Sequence, residues 1–220
     1  MHIERFYDQT LQMIDRGETV PALNMISGQL HLAHADSSRW DEVRTTLRRH
    51  PLHAILLQDP FARHSNERPR GYPGDAVLID LIYDQRHNRS TTALGDDLFA
   101  VTIAAQPAEG VRQRRIHAEA MLAEAWRKGD RVLVLAGGHL READPLIGRD
   151  LGNVIVVDQD PASLEYIRGN HGERIGLTEA NVFRYLCQAA SEGLRFDLVY
   201  TLGLTDYLDT RQMELLHRLM

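Results

Sequence analysis

Along the first half of the chain, apolar residues recur at helical spacing. Ile3, Phe6, Tyr7, Leu11 and Ile14 repeat along one face and stop at Gly17. Pro21 suits a first helical turn, and Leu23, Met25, Ile26, Leu30 and Leu32 follow it. Ser38, with Asp41 three residues later, resembles a capping box for a helix carrying Trp40, Val43 and Leu47. Pro51 and Pro60 break the next region into short pieces, and the polar, Pro- and Gly-rich segment from Asp59 to Asp75 predicts an ordered or functional loop. Val77, Leu78, Leu81 and Ile82 mark another helix, and Leu98, Phe99, Val101, Thr102 and Ala105 one that ends before Pro107. From Ala108 to Arg127 a strong helical pattern runs through Val111, Arg115, Ala118, Met121, Leu122 and Ala125.

Gly129 and Asp130 punctuate a change of pattern. Strands are predicted at Arg131–Ala136, Asn153–Asp158, Arg174–Leu177 and Phe196–Leu202. Helices are predicted after Leu140, from Ala162 to Arg168, from Val182 to Ser191 and from Thr210 onward. Alternating strands and helices imply a parallel sheet. The predicted organisation is therefore a helical domain over 1–127 and an α/β domain over 128–220.

The chemistry concentrates at the ends of the first two strands. A parallel strand covered on both faces reads as a continuous apolar run, and Val132–Ala136 is one. It ends in Gly137-Gly138, where the backbone can turn sharply and approach a ligand. The second run, Val154–Val157, ends in Asp158, placed to accept hydrogen bonds from a ribose. A pyrophosphate cradle would need Gly-x-Gly-x-x-Gly, but the loop reads Ala136-Gly137-Gly138-His139-Leu140-Arg141. That disfavours NAD and FAD and favours a nucleoside without phosphates, with S-adenosylmethionine (SAM) as the candidate.

Composition narrows the class further. The 220 residues are 43% hydrophobic and 25% charged, with a net charge of −6 that offers no nucleic-acid footprint. The single cysteine, Cys187, excludes an intramolecular disulfide and sits in an apolar helical pattern as an expected small buried residue. No apolar run is long enough to span a bilayer, and the N-terminus lacks an apolar signal core, so the expected location is cytoplasmic, without membrane insertion. His31 with His34 and His50 with His53 lack the acids or cysteine that would complete a metal site, so no metal is expected.

Arg131–Glu142 resembles the first motif of class I SAM-dependent methyltransferases, Val154–Asp158 with Asp160–Leu164 their second strand and helix, and Phe196–Tyr200 their fourth strand. Pro69-Arg70-Gly71-Tyr72-Pro73-Gly74-Asp75, then Leu81-Ile82-Tyr83, resembles a bacterial subfamily with a helical N-terminal domain. Gln106–Ala108, Val111–Arg115 and Leu202–Leu208 are similar to the same group. Some of its members are assigned to making the 3-hydroxypalmitic acid methyl ester signal. The resemblance covers the chain from about Arg70 onward. It implies an all-α N-terminal lid ahead of a Rossmann-like sheet, and methyl transfer to a small molecule whose carboxyl group is the best guess for the acceptor.

Under this resemblance Ala136, Gly137 and Gly138 contact the methionine part of SAM, Asp158 holds the ribose, and Gln159 and Asp160 touch the ribose or adenine edge. Asn181 and Val182 read the adenine amino group, Leu202 and Gly203 line the methionine side, and Arg70 and Arg112 offer guanidinium forks to a carboxylate. Tyr72, Asp75, His139 and Tyr207 are the candidate catalytic groups; a carboxylate acceptor needs no base, whereas an alcohol or phenol does. The family sheet continues beyond four strands, so this one is expected to be C-terminally incomplete. The strand Phe196–Leu202 is then expected either to pair in a homodimer or to be covered by a helix with Met213, Leu216 and Leu219 as its apolar stripe. Two rivals stay open: a non-catalytic SAM-binding or interaction module, and a nucleotide-dependent oxidoreductase.

Overall fold

The computed structural model describes residues 3–220, apart from the side chain of residue 37. Two compact units meet between Glu109 and Gly110. The division falls inside a long helix, whereas the sequence pattern set the boundary at its end, 127/128.

The elements of the first unit are helices: α1 (Ile3–Asp15), α2 (Thr19–Ala35), α3 (Ser37–Arg49), α4 (Pro51–Leu56), α5 (Pro60–Glu67), α6 (Ala76–Asp84), α7 (Ala93–Ala104) and the start of α8 (Gln106–Lys128). Phe6, Tyr7 and Ile14 of α1 pack with Ala22, Ile26 and Leu52 in one core, as the helical spacing predicts. The Tyr7 hydroxyl donates to Val43 O at 2.9 Å, tying α1 to α3, and burial pushes the phenol up to about 12.

Two local expectations are corrected. The cap of α3 is Asp36, not Ser38: its carboxylate accepts from the Ser38 N–H at 3.1 Å, so the helix starts earlier. The Asp59–Asp75 segment is not all loop, because it contains α5. Asp59 caps that helix by accepting from Phe61 N at 2.8 Å, and Pro60 sits in its first turn, where a missing N–H costs nothing.

The second unit holds a four-stranded parallel sheet of β1 (Val132–Leu135), β2 (Leu151–Asp158), β3 (Ile175–Glu179) and β4 (Leu198–Tyr200) in the order β3-β2-β1-β4. Successive side chains of β1 point to opposite faces. Val132 and Val134 pack with Leu122 and Ala125 of α8, and with Leu164 and Ile167 of α9 (Pro161–His171). Leu133 and Leu135 pack with Val182 and Leu186 of α10 (Val182–Ser191) and Leu216 of α11 (Thr210–Leu219). Both faces of the sheet are thus covered, and β1 is buried along its length.

The helix expected after Leu140 is a 3₁₀ turn, Arg141–Leu146. Leu140 enters it at φ +49°, and Pro145 inside it disfavours an α conformation for the residue before it. The fourth strand is shorter than expected. Its face toward α10 is covered by α11, where Leu216 is buried and Met213 and Leu219 are half-buried, the predicted stripe. Its outer edge has no strand partner among the described residues. Cys187 is exposed rather than buried, because the buried stripe of α10 is Val182, Leu186 and Ala189, one step around the helix. Among the described residues no helix is long and apolar enough to cross a membrane.

Candidate functional site

The chain runs outward from β1 to β2 to β3, then returns to place β4 on the other side of β1. Strand order therefore reverses between β1 and β4. In open α/β sheets ligands bind beyond the carboxyl ends of the strands at such a reversal.

The loop leaving β1 is tightly specified. Ala136 N donates to Val157 O at 2.8 Å, prolonging the ladder, and then Ala136, Gly138 and Leu140 all take positive φ, at +52°, +54° and +49°. A Cβ on Gly137 would stand 2.4 Å from Cγ1 of Val156, so the loop lies directly on β2. The Gly137 carbonyl accepts from Leu140 N at 2.9 Å and closes the turn.

Asp158 closes β2 and holds that loop. Its Oδ2 accepts from Gly138 N at 2.9 Å and its Oδ1 from Asp160 N at 2.9 Å. The residue is only 6% exposed, and burial raises its pKa while the amide bonds work against that rise. The Gln159 amide also acts on the carboxylate, and an ionised carboxylate, with about four acceptor positions, keeps capacity for a further donor beside these amides.

Beside this loop lies a charged cluster. Arg115 of α8 donates from Nε to Glu119 at 2.8 Å and from an Nη to Asp144 at 3.2 Å, and Arg141 Nε donates to the same Asp144 oxygen at 2.8 Å. Asp144 lies in the turn after β1, so this end of α8 stands at the carboxyl ends of the strands. Between the 3₁₀ turn and β4, the Tyr200 hydroxyl donates to Oε1 of Glu142 at 2.9 Å. Burial pushes the Glu142 carboxyl up to about 7, and burial with the neighbouring Glu142 pushes the Tyr200 phenol well above its ordinary value.

Several anticipated residues already have defined partners. Gly137, Gly138 and Asp158 come together at the end of β1 and β2, with Ala136 beside them. Gln159 is exposed next to Asp158. Asp160 caps α9, accepting from Ala162 N at 3.1 Å and Ser163 Oγ at 2.7 Å. Asn181 caps α10, its Oδ1 accepting from Phe183 N at 3.1 Å and Arg184 N at 3.3 Å, so the oxygen expected to accept from an adenine amino group already holds two amides. Val182 is buried in the sheet core, and Leu202 and Gly203 follow β4, Leu202 packing on the core with Tyr200. Tyr207 is 49% exposed, and His139 is buried with its ring stacked 3.9 Å from that of Tyr166.

The remaining anticipated residues belong to α8 and to the first unit. Arg112 is half-buried on α8, in the second unit. Arg70 and Tyr72 are half-buried in the segment before α6, in the first unit. Asp75 is fully buried; it caps α6 by accepting from Leu78 N at 2.9 Å, and accepts from His64 Nε2 at 2.7 Å. Sequence reasoning missed Arg114, Arg115, Glu142 and Tyr200. For the two arginines a signal existed: the buried stripe Ala118, Leu122 and Ala125, carried one turn back, falls on them.

No protein-family model matches the chain, and neither the curated proteins nor the solved structures include a match.

Proposed function

We propose that the chain is a SAM-dependent methyltransferase acting on a small molecule, with a Rossmann-like sheet as its SAM-binding unit and an all-α N-terminal domain. The observation that carries this reading is the Asp158 carboxylate, held by the amides of Gly138 and Asp160 at the carboxyl ends of β1 and β2. Its remaining acceptor capacity suits a ribose hydroxyl. The turn after β1 also argues against a phosphate-bearing cofactor. It leads into a 3₁₀ turn without a side-chain cap, so there is no α-helix N-terminus to hold a pyrophosphate.

Bound SAM would supply an activated methyl group, and the protein's part is positioning and exclusion of water. Gly137 and Gly138 present backbone to the methionyl portion, Asp158 orients the ribose, and Asn181 donates to the adenine edge. A carboxyl acceptor, such as that of a hydroxy fatty acid, attacks as its carboxylate and needs no base. In the second unit His139 is stacked on Tyr166 and Tyr207 is half exposed.

The test is calorimetry with S-adenosylhomocysteine and with NAD, then radiolabelled methyl transfer to lipid extracts. Binding of the first ligand, none of NAD, and a labelled ester product are expected. NAD binding in place of S-adenosylhomocysteine would replace this reading with an oxidoreductase. Binding without transfer would favour the second reading, a non-catalytic SAM-binding module.

A further inference from the structure

We propose that Arg114 is the residue that grips a ligand carboxylate at the strand-order reversal between β1 and β4; this rests on that crevice being the ligand site. Arg114, Arg115 and Arg141 are among the arginines at this end of the second unit, and they differ in what already satisfies them. Arg115 is bound by Glu119 and Asp144, and Arg141 by Asp144. Among the described residues Arg114 pairs with Asp206 alone, 3.9 Å away with a side chain 71% exposed, a solvent-screened pair of little energetic value. Its Nε is buried with no hydrogen-bond partner among the described residues. An orphaned buried donor calls for an acceptor that is bound there in the working protein.

The position fits a carboxylate. An Nη of Arg114 lies 3.9 Å from where a Cβ on Gly203 would stand, so the guanidinium flanks the segment leaving β4. The exposed part of the guanidinium offers its Nη donors, which can grip two carboxylate oxygens. Arg114 is one turn beyond Ala118 on the buried stripe of α8, which aims it at the strand ends. The carboxylate has two possible sources, the amino-acid end of the methyl donor or the acceptor acid.

The experiment uses the full chain and Arg114→Gln, with thermal unfolding confirming that the variant is folded. Binding is measured for S-adenosylhomocysteine, for 5′-methylthioadenosine, which lacks the amino-acid end, and for 3-hydroxydecanoate against its methyl ester. A loss of about tenfold or more for S-adenosylhomocysteine, with methylthioadenosine unchanged, assigns Arg114 to the donor's carboxylate. A similar loss for the acid but not its ester, with both nucleosides unchanged, assigns it to the acceptor. Equal losses for both nucleosides, or no loss for any carboxylate ligand, overturn the proposal. If the wild type binds neither nucleoside, the methyl-donor reading falls by itself and the acid–ester pair decides Arg114; a wild type that binds no acid either overturns both.

Discussion

The Tyr200 hydroxyl at the end of β4 donates to Oε1 of Glu142 in the turn after β1, 2.9 Å apart and 58 positions distant in sequence. Glu142 is 4% exposed. The bond ties together the two segments that border the strand-order reversal, and it keeps a carboxyl inside a largely apolar layer with Leu140, Ala143 and Leu146. Arg115 and Asp144 are the charges that act on it, in opposite directions.

Glu142 should make the protein less stable as pH rises. Burial lifts its carboxyl to about 7 in the folded chain, so between the ordinary carboxylate value and neutrality the folded state binds more protons than the unfolded one. This contribution is fully present below the ordinary value, is lost as pH rises through about 7, and is constant above that. Its size is about 3 kcal/mol. Urea unfolding from pH 5 to 8 should show Glu142→Gln near wild type at low pH and progressively more stable than wild type toward pH 8. A pH-independent difference between the two proteins would refute the assignment.

Asp158 should support both the fold and the ligand. Asp158→Ala strands the amides of Gly138 and Asp160, each of which now donates to it at 2.9 Å. A stability loss of about 1–3 kcal/mol is expected, with a loss of S-adenosylhomocysteine affinity of similar size. Denaturant titration and calorimetry on the same protein separate the two. Unchanged affinity in a folded variant would remove Asp158 from the site.

The strands and the Gly loop were legible because buried parallel strands are written as unbroken apolar runs, and Val132–Leu135 and Val154–Val157 are such runs. The two core helices α1 and α11 were equally plain in their spacing. What the sequence hid was non-local or depended on phase. Glu142 looks like a surface acid until Tyr200 is brought to it from another strand. Among Arg112, Arg114 and Arg115, only the phase of α8 against the sheet shows which side chains reach the strand ends. Pro60 was read as a breaker although Asp59 before it supplies a cap, a case where the start signal and the stop signal share a residue type.

His64 should be essential to the first unit. Arg89, which can only donate, faces His64 Nδ1, so that nitrogen accepts and Nε2 carries the hydrogen given to Asp75. Asp75 has no exposure at all. Removing its partner in His64→Ala leaves a buried acid short of a donor, with a loss of about 1–3 kcal/mol. Thermal unfolding should show the loss, and a variant as stable as wild type would exclude a structural role for the pair.

Gly137 should be intolerant of even one methyl group, for a reason that a second substitution can relieve. A Cβ there would lie 2.4 Å from Cγ1 of Val156, far inside contact distance. Val156 is buried in the middle of β2 and pairs in register with Val134, and a β-branched side chain in a strand has little rotamer freedom with which to yield. The loop cannot yield either, because Asp158 pins Gly138 and three of its residues already hold positive φ. Gly137→Ala is therefore expected to lose about 1–3 kcal/mol by overpacking. Val156→Ala alone leaves a cavity and also destabilises. The double variant places the new methyl group in that cavity, so its loss should be smaller than the sum of the two single losses by more than about 0.5 kcal/mol. Denaturant unfolding of the four proteins measures that coupling, and strict additivity would mean that Gly137 and Val156 are not in contact.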